Sequence, residues 1–525
     1  MKHPKAFWAR LIDTNPARLV TLLTTWRSDT PGRTIYGDDK ENISIALNAV
    51  LDAAKVPAGI RWRRLVRAGI TAEICGCIIR SPESEMCIEL EGEDGKEPPS
   101  SWFPFLHLLL QGSDNMLKHP DPTNKTFASS IKESWTDITK RLFDAPENAL
   151  NPDPRSMGER LVFIELLNDM LQHDPTLLSV IDDPNDFTVP VLTLFITHST
   201  AKEDFYHCVS ALTSLIVPSN RGAYDSHRAF RAPAHFMERI RYGMKDRSFS
   251  VFLSCITAAP LSSSCIYLKR SIKLVWLLAL QVGWATSAPL ADTEYMYALL
   301  RAQLFWIHII SAIANPGYLQ DKGTSGHIPN NLFEDIIRLI SVCLSYTSQL
   351  AHDRQGGGST TICEDYMKVL VRADIFYAME RALLSKMETH DIVAGHIGML
   401  LNEIQSHVEM LPGILPVVRR QLPRPRFMRA CLDIAFAPNS FLRHWANNNR
   451  DAYGSIPTIR GAWMWLDVID KRSRVVGHCM KRGCKKWRHG RCKSCHTVDY
   501  CSVECQAQSV FAFRHLLVRH LIAPP

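Results

Sequence analysis

HCMKRGCKKWRHGRCKSCHTVDYCSVECQAQSVFAFRHLLVRH, residues 478–520, is where this chain concentrates its chemistry. Six of its fifteen cysteines, Cys479, Cys484, Cys492, Cys495, Cys501 and Cys505, fall in this stretch. Cysteines gathered into short paired spacings point to zinc, which takes four thiolate or imidazole ligands in a closed tetrahedral set when its role is structural. Ten Lys or Arg and no Asp or Glu lie between Lys471 and Lys493. Positive charge beside cysteines favours the thiolate that zinc requires.

Outward from this segment the chain changes character. It has 525 residues, is 46% hydrophobic and 22% charged, and carries a net charge of +7. The ten clustered cations exceed that surplus, so the remainder is close to neutral and has apolar material for a large core. Apolar residues recur at helical spacing almost throughout, and no sustained strand alternation is found. The expected class is all-α: a helical body over residues 1–470, followed by a small zinc-folded module over residues 471–525. Predicted helices include 6–26 with a break at Pro16, 42–54, 62–80, 157–175, 295–314, 332–350, 366–387 and 392–410. An acidic segment at 82–101 reads as a loop, with a short strand near Met86–Leu90. His119–Asn124 and Asn151–Ser156 also read as loops, and Gly356–Ser359 as a flexible break.

Leu65-Val66-Arg67-Ala68-Gly69-Ile70 recurs as Leu370-Val371-Arg372-Ala373-Asp374-Ile375, with five of six positions identical. Helix pairs carrying such a phrase look like armadillo or HEAT repeats, and an α-solenoid of that kind is the expected body. A chance likeness between two amphipathic helices is the alternative.

The C-terminal segment resembles a MYND-type zinc finger. The resemblance rests on Cys479 and Cys484, the pair Cys492-Lys-Ser-Cys495, then Tyr500-Cys501-Ser502, Cys505-Gln506 and a downstream histidine. The arrangement is similar to fungal proteins that end in such a finger. The family's cross-brace implies two zinc ions. Cys479, Cys484, Cys501 and Cys505 would hold the first, and Cys492, Cys495, His515 and His520 the second. The sequence departs from the pattern in its Cys-x4-Cys first pair and in Arg519, where the family has its last cysteine. His515 and His520 are five apart, about 140° around a regular helix, so both reach one metal only if the helix ends or distorts between them. His478, His489 and His496 are the alternatives.

The resemblance implies recognition of proteins or short proline-containing peptides, in the setting of transcriptional regulation. The runner-up reading is nucleic-acid binding through the basic residues around Trp487 and Tyr500. A MYND-associated methyltransferase would need an Asn-His-Ser-Cys type motif and strand-rich sequence, and neither is found. HExxH, GxSxG and Walker patterns are also missing, so no enzyme and no small-molecule substrate are expected. No signal-type apolar run opens the sequence, and the cysteines form no disulfide framework; the expected location is intracellular, cytoplasm or nucleus. Two charge-free stretches, Ser248–Leu268 and Leu274–Ala291, are broken by prolines and polar residues and read as buried helices, not membrane spans.

Overall fold

The computed structural model describes residues 3–26, 38–56, 59–80, 102–118, 121–146, 150, 154–198, 202–218, 230–258, 265–283, 290–314, 330–353, 358–384, 390–435, 456–473, 479, 481, 484, 486–491 and 499–507. The described body is all-α, as expected, interrupted by one two-residue antiparallel pair, Val217–Pro218 with Phe230–Arg231. Two compact units form: Met1–Arg221 with Phe230–Ala259, and residues from Pro260 onward. The acidic segment 82–101, with its expected strand, lies outside the described residues, as do positions 356 and 357 of the glycine break. The next helix begins at Gly358.

Two expected loops turn out to be helix starts. The helix Pro122–Asp144 opens on Asp121, whose Oδ1 accepts from the Thr123 backbone N–H at 2.8 Å, with proline at the first helical position. The next long helix, Pro154–His173, likewise opens on a proline preceded by aspartate. Asp-Pro supplies a capping oxygen and then a residue whose missing N–H would have been unsatisfied anyway. The same dipeptide that marks a turn can therefore begin a helix.

The converse error is more informative. Residues 62–80, 295–314 and 366–387 each read as one helix, and each is two. Helix Ile60–Arg67 ends at Ala68-Gly69, and Ile70–Arg80 follows. Helix Gly358–Arg372 ends at Ala373-Asp374, and Ile375–Leu384 follows. The repeated phrase is thus one interhelical corner used twice. Gly69 N–H donates to Val66 C=O at 3.0 Å, and Asp374 N–H to Val371 C=O at 3.1 Å. Gly69 has φ +93° and Asp374 φ +65°. Leu65, Val66 and Ile70 are buried, as are Leu370, Val371 and Ile375. In the first unit both corner helices pack on Pro122–Asp144; in the second both pack on Gln303–Ala314. A third corner, Leu299-Leu300-Arg301-Ala302, shares with the first an Ala N–H bond three residues back, Ala302 to Leu299 C=O at 3.1 Å as Ala68 to Leu65 C=O at 3.1 Å, while Ala373 reaches four back to Val369; it turns the chain by 63°. Apolar spacing continues across all three phrases, so periodicity alone cannot see the bend.

Gly69 needs its missing Cβ for conformation and not for room, since nothing lies within 4 Å of where a Cβ would stand. Gly69→Ala is expected to destabilise the first unit by about 1–2 kcal/mol through the left-handed backbone alone. A urea midpoint unchanged from wild type would remove this explanation of the corner.

Each unit has its own aromatic core. Trp135 stacks on Phe163 with centroids 5.8 Å apart, and Phe163 meets Phe195 edge-on at 6.0 Å. In the second unit Trp306 meets Tyr366 at 5.1 Å. Burial of such rings is the dominant favourable term for helices of this kind. Of the two charge-free stretches, the first holds the helix Phe249–Ala258 and the start of Cys265–Gly283, and that second helix, which runs on into the other stretch, carries Lys269, Arg270 and Lys273. Among the described residues no single helix is long and apolar enough to cross a membrane.

The second unit holds an unusual half-buried acid. Glu403 sits on His390–Met410, which packs on Asn330–Asp353 and Ile456–Ser473. Burial pushes its carboxyl up to about 7, only partly opposed by a hydrogen bond from Ser341. One turn on, His407 Nδ1 faces the Glu403 carbonyl oxygen at 2.8 Å, so that nitrogen carries the proton. Burial lowers the His407 pKa and keeps the ring neutral. A carboxyl raised in the folded state binds its proton more tightly there, so its contribution falls as pH rises from the unfolded value of 4.5 through about 7. Glu403→Gln should raise stability at pH 8 by on the order of 2 kcal/mol and change little at pH 4, read as melting temperatures across that range. Equal gains at both pH values would contradict the burial account.

Candidate metal centre

The C-terminal segment folds locally around sulfur. A backbone bond from Cys479 N–H to Lys486 C=O, 2.9 Å, closes the first cysteine loop. Within it Cys484 N–H returns to Lys481 C=O at 3.0 Å, and the Cys479 and Cys484 sulfurs lie in one cluster. The chain then runs into Gly490–Arg491, which pairs antiparallel with Asp499–Tyr500. His489 N–H donates to Tyr500 C=O at 2.7 Å and extends that pairing. The pairing returns the chain to the first loop and delivers Cys501. Residues 503–507 are helical, and Ser502 Oγ accepts from Cys505 N–H at 3.2 Å as the cap. Cys501 and Cys505 are four apart, a spacing that places side chains on one side of a turn.

The result is one four-sulfur cluster: Cys479, Cys484, Cys501 and Cys505, with all four Sγ atoms within 4.8 Å of one another. Cys501 Sγ is 3.5 Å from both Cys484 Sγ and Cys505 Sγ. These separations are far beyond a disulfide bond of about 2.05 Å. They match the edge of a zinc tetrathiolate tetrahedron, about 3.8 Å for Zn–S of about 2.3 Å. Cys479 and Tyr500 are buried, and the other three cysteines pack against them half-exposed. Among the described residues this is the one group of three or more His, Cys, Asp or Glu side chains close enough to share a metal ion. The donor set therefore fits a metal ion such as zinc, which would supply a tetrahedral cross-link between the two halves of the segment.

Electrostatics point the same way. The Cys484 thiol is lowered to about 7, first by the Lys486 backbone N–H and then by its sulfur neighbours. Burial raises Cys479. Desolvation and then hydrogen bonds to Cys505, Cys484 and Cys479 push Cys501 up to about 12. Four crowded thiols cannot all ionise without a cation among them. Zinc titrated into the metal-free protein at pH 7.5 should accordingly release at least two protons, from Cys479 and Cys501. Calorimetry in two buffers of different ionisation enthalpy measures that number, and a value near zero would contradict thiolate ligation.

Of the eight expected ligands, the structure brings together the four assigned to the first zinc. Cys492, Cys495, His515 and His520 lie outside the described residues, as do His478 and His496. His489 is described, exposed and outside the sulfur cluster. The sequence reading used Ser502 only as part of the Tyr500-Cys501-Ser502 phrase; its capping of the following helix was readable from serine's preference for that position.

No known family model matches this chain, and no curated protein matches it. Among solved structures, one similar chain is described as a homology model of the full-length AP-3 complex in an intermediate open conformation. It shares 14% identity over 88% of this chain and 92% of that one, with a TM-score of 0.16. What fold and site define together is an all-α protein with a four-cysteine centre able to hold a metal ion such as zinc.

Proposed function

We propose that the C-terminal segment is a cross-braced, MYND-type zinc finger binding two zinc ions, and that the protein is a non-enzymatic recognition protein acting through it. The observation that carries the reading is the order of pairing. Cys479 and Cys484 meet Cys501 and Cys505, and the pair Cys492 and Cys495 lies between them in sequence. A further cysteine pair placed in sequence between the halves of a four-sulfur set is the arrangement in which a second site interleaves with the first. In this reading Cys492, Cys495, His515 and His520 hold the second zinc. A closed four-thiolate set leaves no open coordination position, so zinc there builds a surface and does no chemistry. The helical body, built from repeated corners, offers further extended surface of the armadillo or HEAT kind. The partner is a protein or peptide, and the setting is intracellular, in cytoplasm or nucleus, including transcriptional regulation.

The test is selection of peptides from a random library on the zinc-loaded full-length protein. Enrichment that vanishes in Cys484→Ser and Cys501→Ser variants is the expected result. Enrichment that survives in both, or none at all, would overturn the reading.

A further inference from the structure

Trp487 stands apart from the other tryptophans whose burial is described: Trp8, Trp62, Trp102, Trp135, Trp276 and Trp306 are buried and Trp463 and Trp465 half-buried, whereas Trp487 is 70% exposed. It lies three residues beyond Cys484, so chain length alone holds it within about 10 Å of that ligand. Its neighbours Lys486 and Arg488 are exposed, and Lys481 lies on the same cysteine loop. Val503, 76% exposed, borders the same sulfur cluster from the Cys501–Cys505 side. An aromatic ring turned to solvent on a metal-braced scaffold costs free energy that a core position would recover. Rigid aromatic side chains ringed by charge are the anchors on which interfaces concentrate their binding energy.

The charges give the partner a sign. Lys481, Arg482, Lys485, Lys486, Arg488, Arg491 and Lys493 all precede the returning strand, while the only carboxylates between Cys479 and Ala507 are Asp499, which opens that strand, and Glu504 beyond it. A zinc tetrathiolate carries two negative charges, and a surplus of about three positive charges remains after it and the two carboxylates are counted. The cations therefore do more than offset thiolates, and they gather on the arm that presents Trp487.

We propose that this arm, Lys481 with Lys486–Arg488, docks an acidic peptide segment whose aromatic or aliphatic residue seats on Trp487. The inference rests on the recognition reading above and narrows it to one partner chemistry. A nucleic acid fits less well. It needs a track of cations for successive phosphates, and the adjoining arm, residues 499–507, carries Asp499 and Glu504 and no Lys or Arg.

The experiment uses the zinc-loaded full chain and fluorescein-labelled twelve-residue probes: an Asp/Glu-rich peptide with one central Phe, the same peptide with Phe replaced by Ser, a Lys-rich counterpart, and an oligothymidylate. Anisotropy is read at low and moderate salt. The Phe-containing acidic peptide should bind best, and should lose about tenfold in affinity as salt screens the contact. Trp487→Ala and Arg488→Gln should each weaken it at least about fivefold with zinc content unchanged. Equal binding of the Phe and Ser peptides, tighter binding of the oligothymidylate, or wild-type binding by either variant would overturn the proposal. Library selection of zinc-dependent peptides that are not acidic would overturn it too, while leaving the recognition reading standing.

Discussion

Replacing Cys501 with serine should release at least one zinc ion per chain and unfold residues 479–507 while leaving the helical units folded. Cys501 is the right position because its sulfur lies 3.5 Å from two of the other three and joins the returning strand to the first loop. Among its described residues the segment has little else to hold it: two two-residue strands, one short helix, and a core of Cys479 and Tyr500 with three half-exposed cysteines around them. In such a module metal binding and folding are the same free energy, roughly 10–16 kcal/mol for a structural zinc at neutral pH. Shared over four ligands, one thiolate accounts for about 3–4 kcal/mol, or several hundredfold in zinc affinity. Metal analysis and limited proteolysis read the two halves of the expectation. Retention of full zinc content by Cys501→Ser would show that the four sulfurs do not share an ion. Acid should act as the mutation does, with affinity falling as pH drops below about 7, where Cys484 regains its proton.

Arg239→Ala should destabilise the first unit by about 3–5 kcal/mol, because it leaves a carboxylate buried without its partner. Arg239, on the helix Phe236–Gly243, donates to Ile181 C=O at 2.6 Å, to Asp186 C=O at 2.5 Å and to Asp186 Oδ1 at 3.0 Å. Asp186 is itself buried and also accepts from Thr188 N–H at 2.9 Å and Thr139 Oγ1 at 3.2 Å. Thr188 Oγ1 in turn takes the Trp135 indole N–H at 2.8 Å. One guanidinium thus ties the start of the buried helix Thr188–His198 to the aromatic core. Removing both charges together, Arg239→Met with Asp186→Asn, should cost less than the sum of the single changes, since the desolvation penalty disappears with the carboxylate. Additive losses in chemical denaturation would mean that the two groups do not act as a pair.

Much of this was legible in the residues and some was not, for specific reasons. Helical periodicity identified the body because burying one stripe of a helix requires apolar side chains at that spacing whatever the partner. Asp121-Pro122 was misread because one dipeptide serves both a turn and a helix cap, and only the chain beyond it decides. The corners at Gly69 and Asp374 were invisible to periodicity, since apolar residues continue on both sides of the bend. The recurring phrase nevertheless marked them, and its meaning became clear once both copies showed the same left-handed residue and the same hydrogen bond. Arg239 could not be found in advance, because its partners Ile181 and Asp186 lie more than fifty residues away.

By itself the sequence determined that the protein is helical and that its last fifty residues carry ligands for metal. Both follow from composition and short spacing, which local physics reads without knowing the fold. Only the tertiary structure showed that four of the cysteines meet in one cluster able to hold an ion, where apparent single helices turn, and that Trp487 faces solvent beside a one-sided field of positive charge. Each of these depends on residues distant in sequence meeting in space. Cys479 reaches Cys501 only because Gly490–Arg491 pairs back on Asp499–Tyr500.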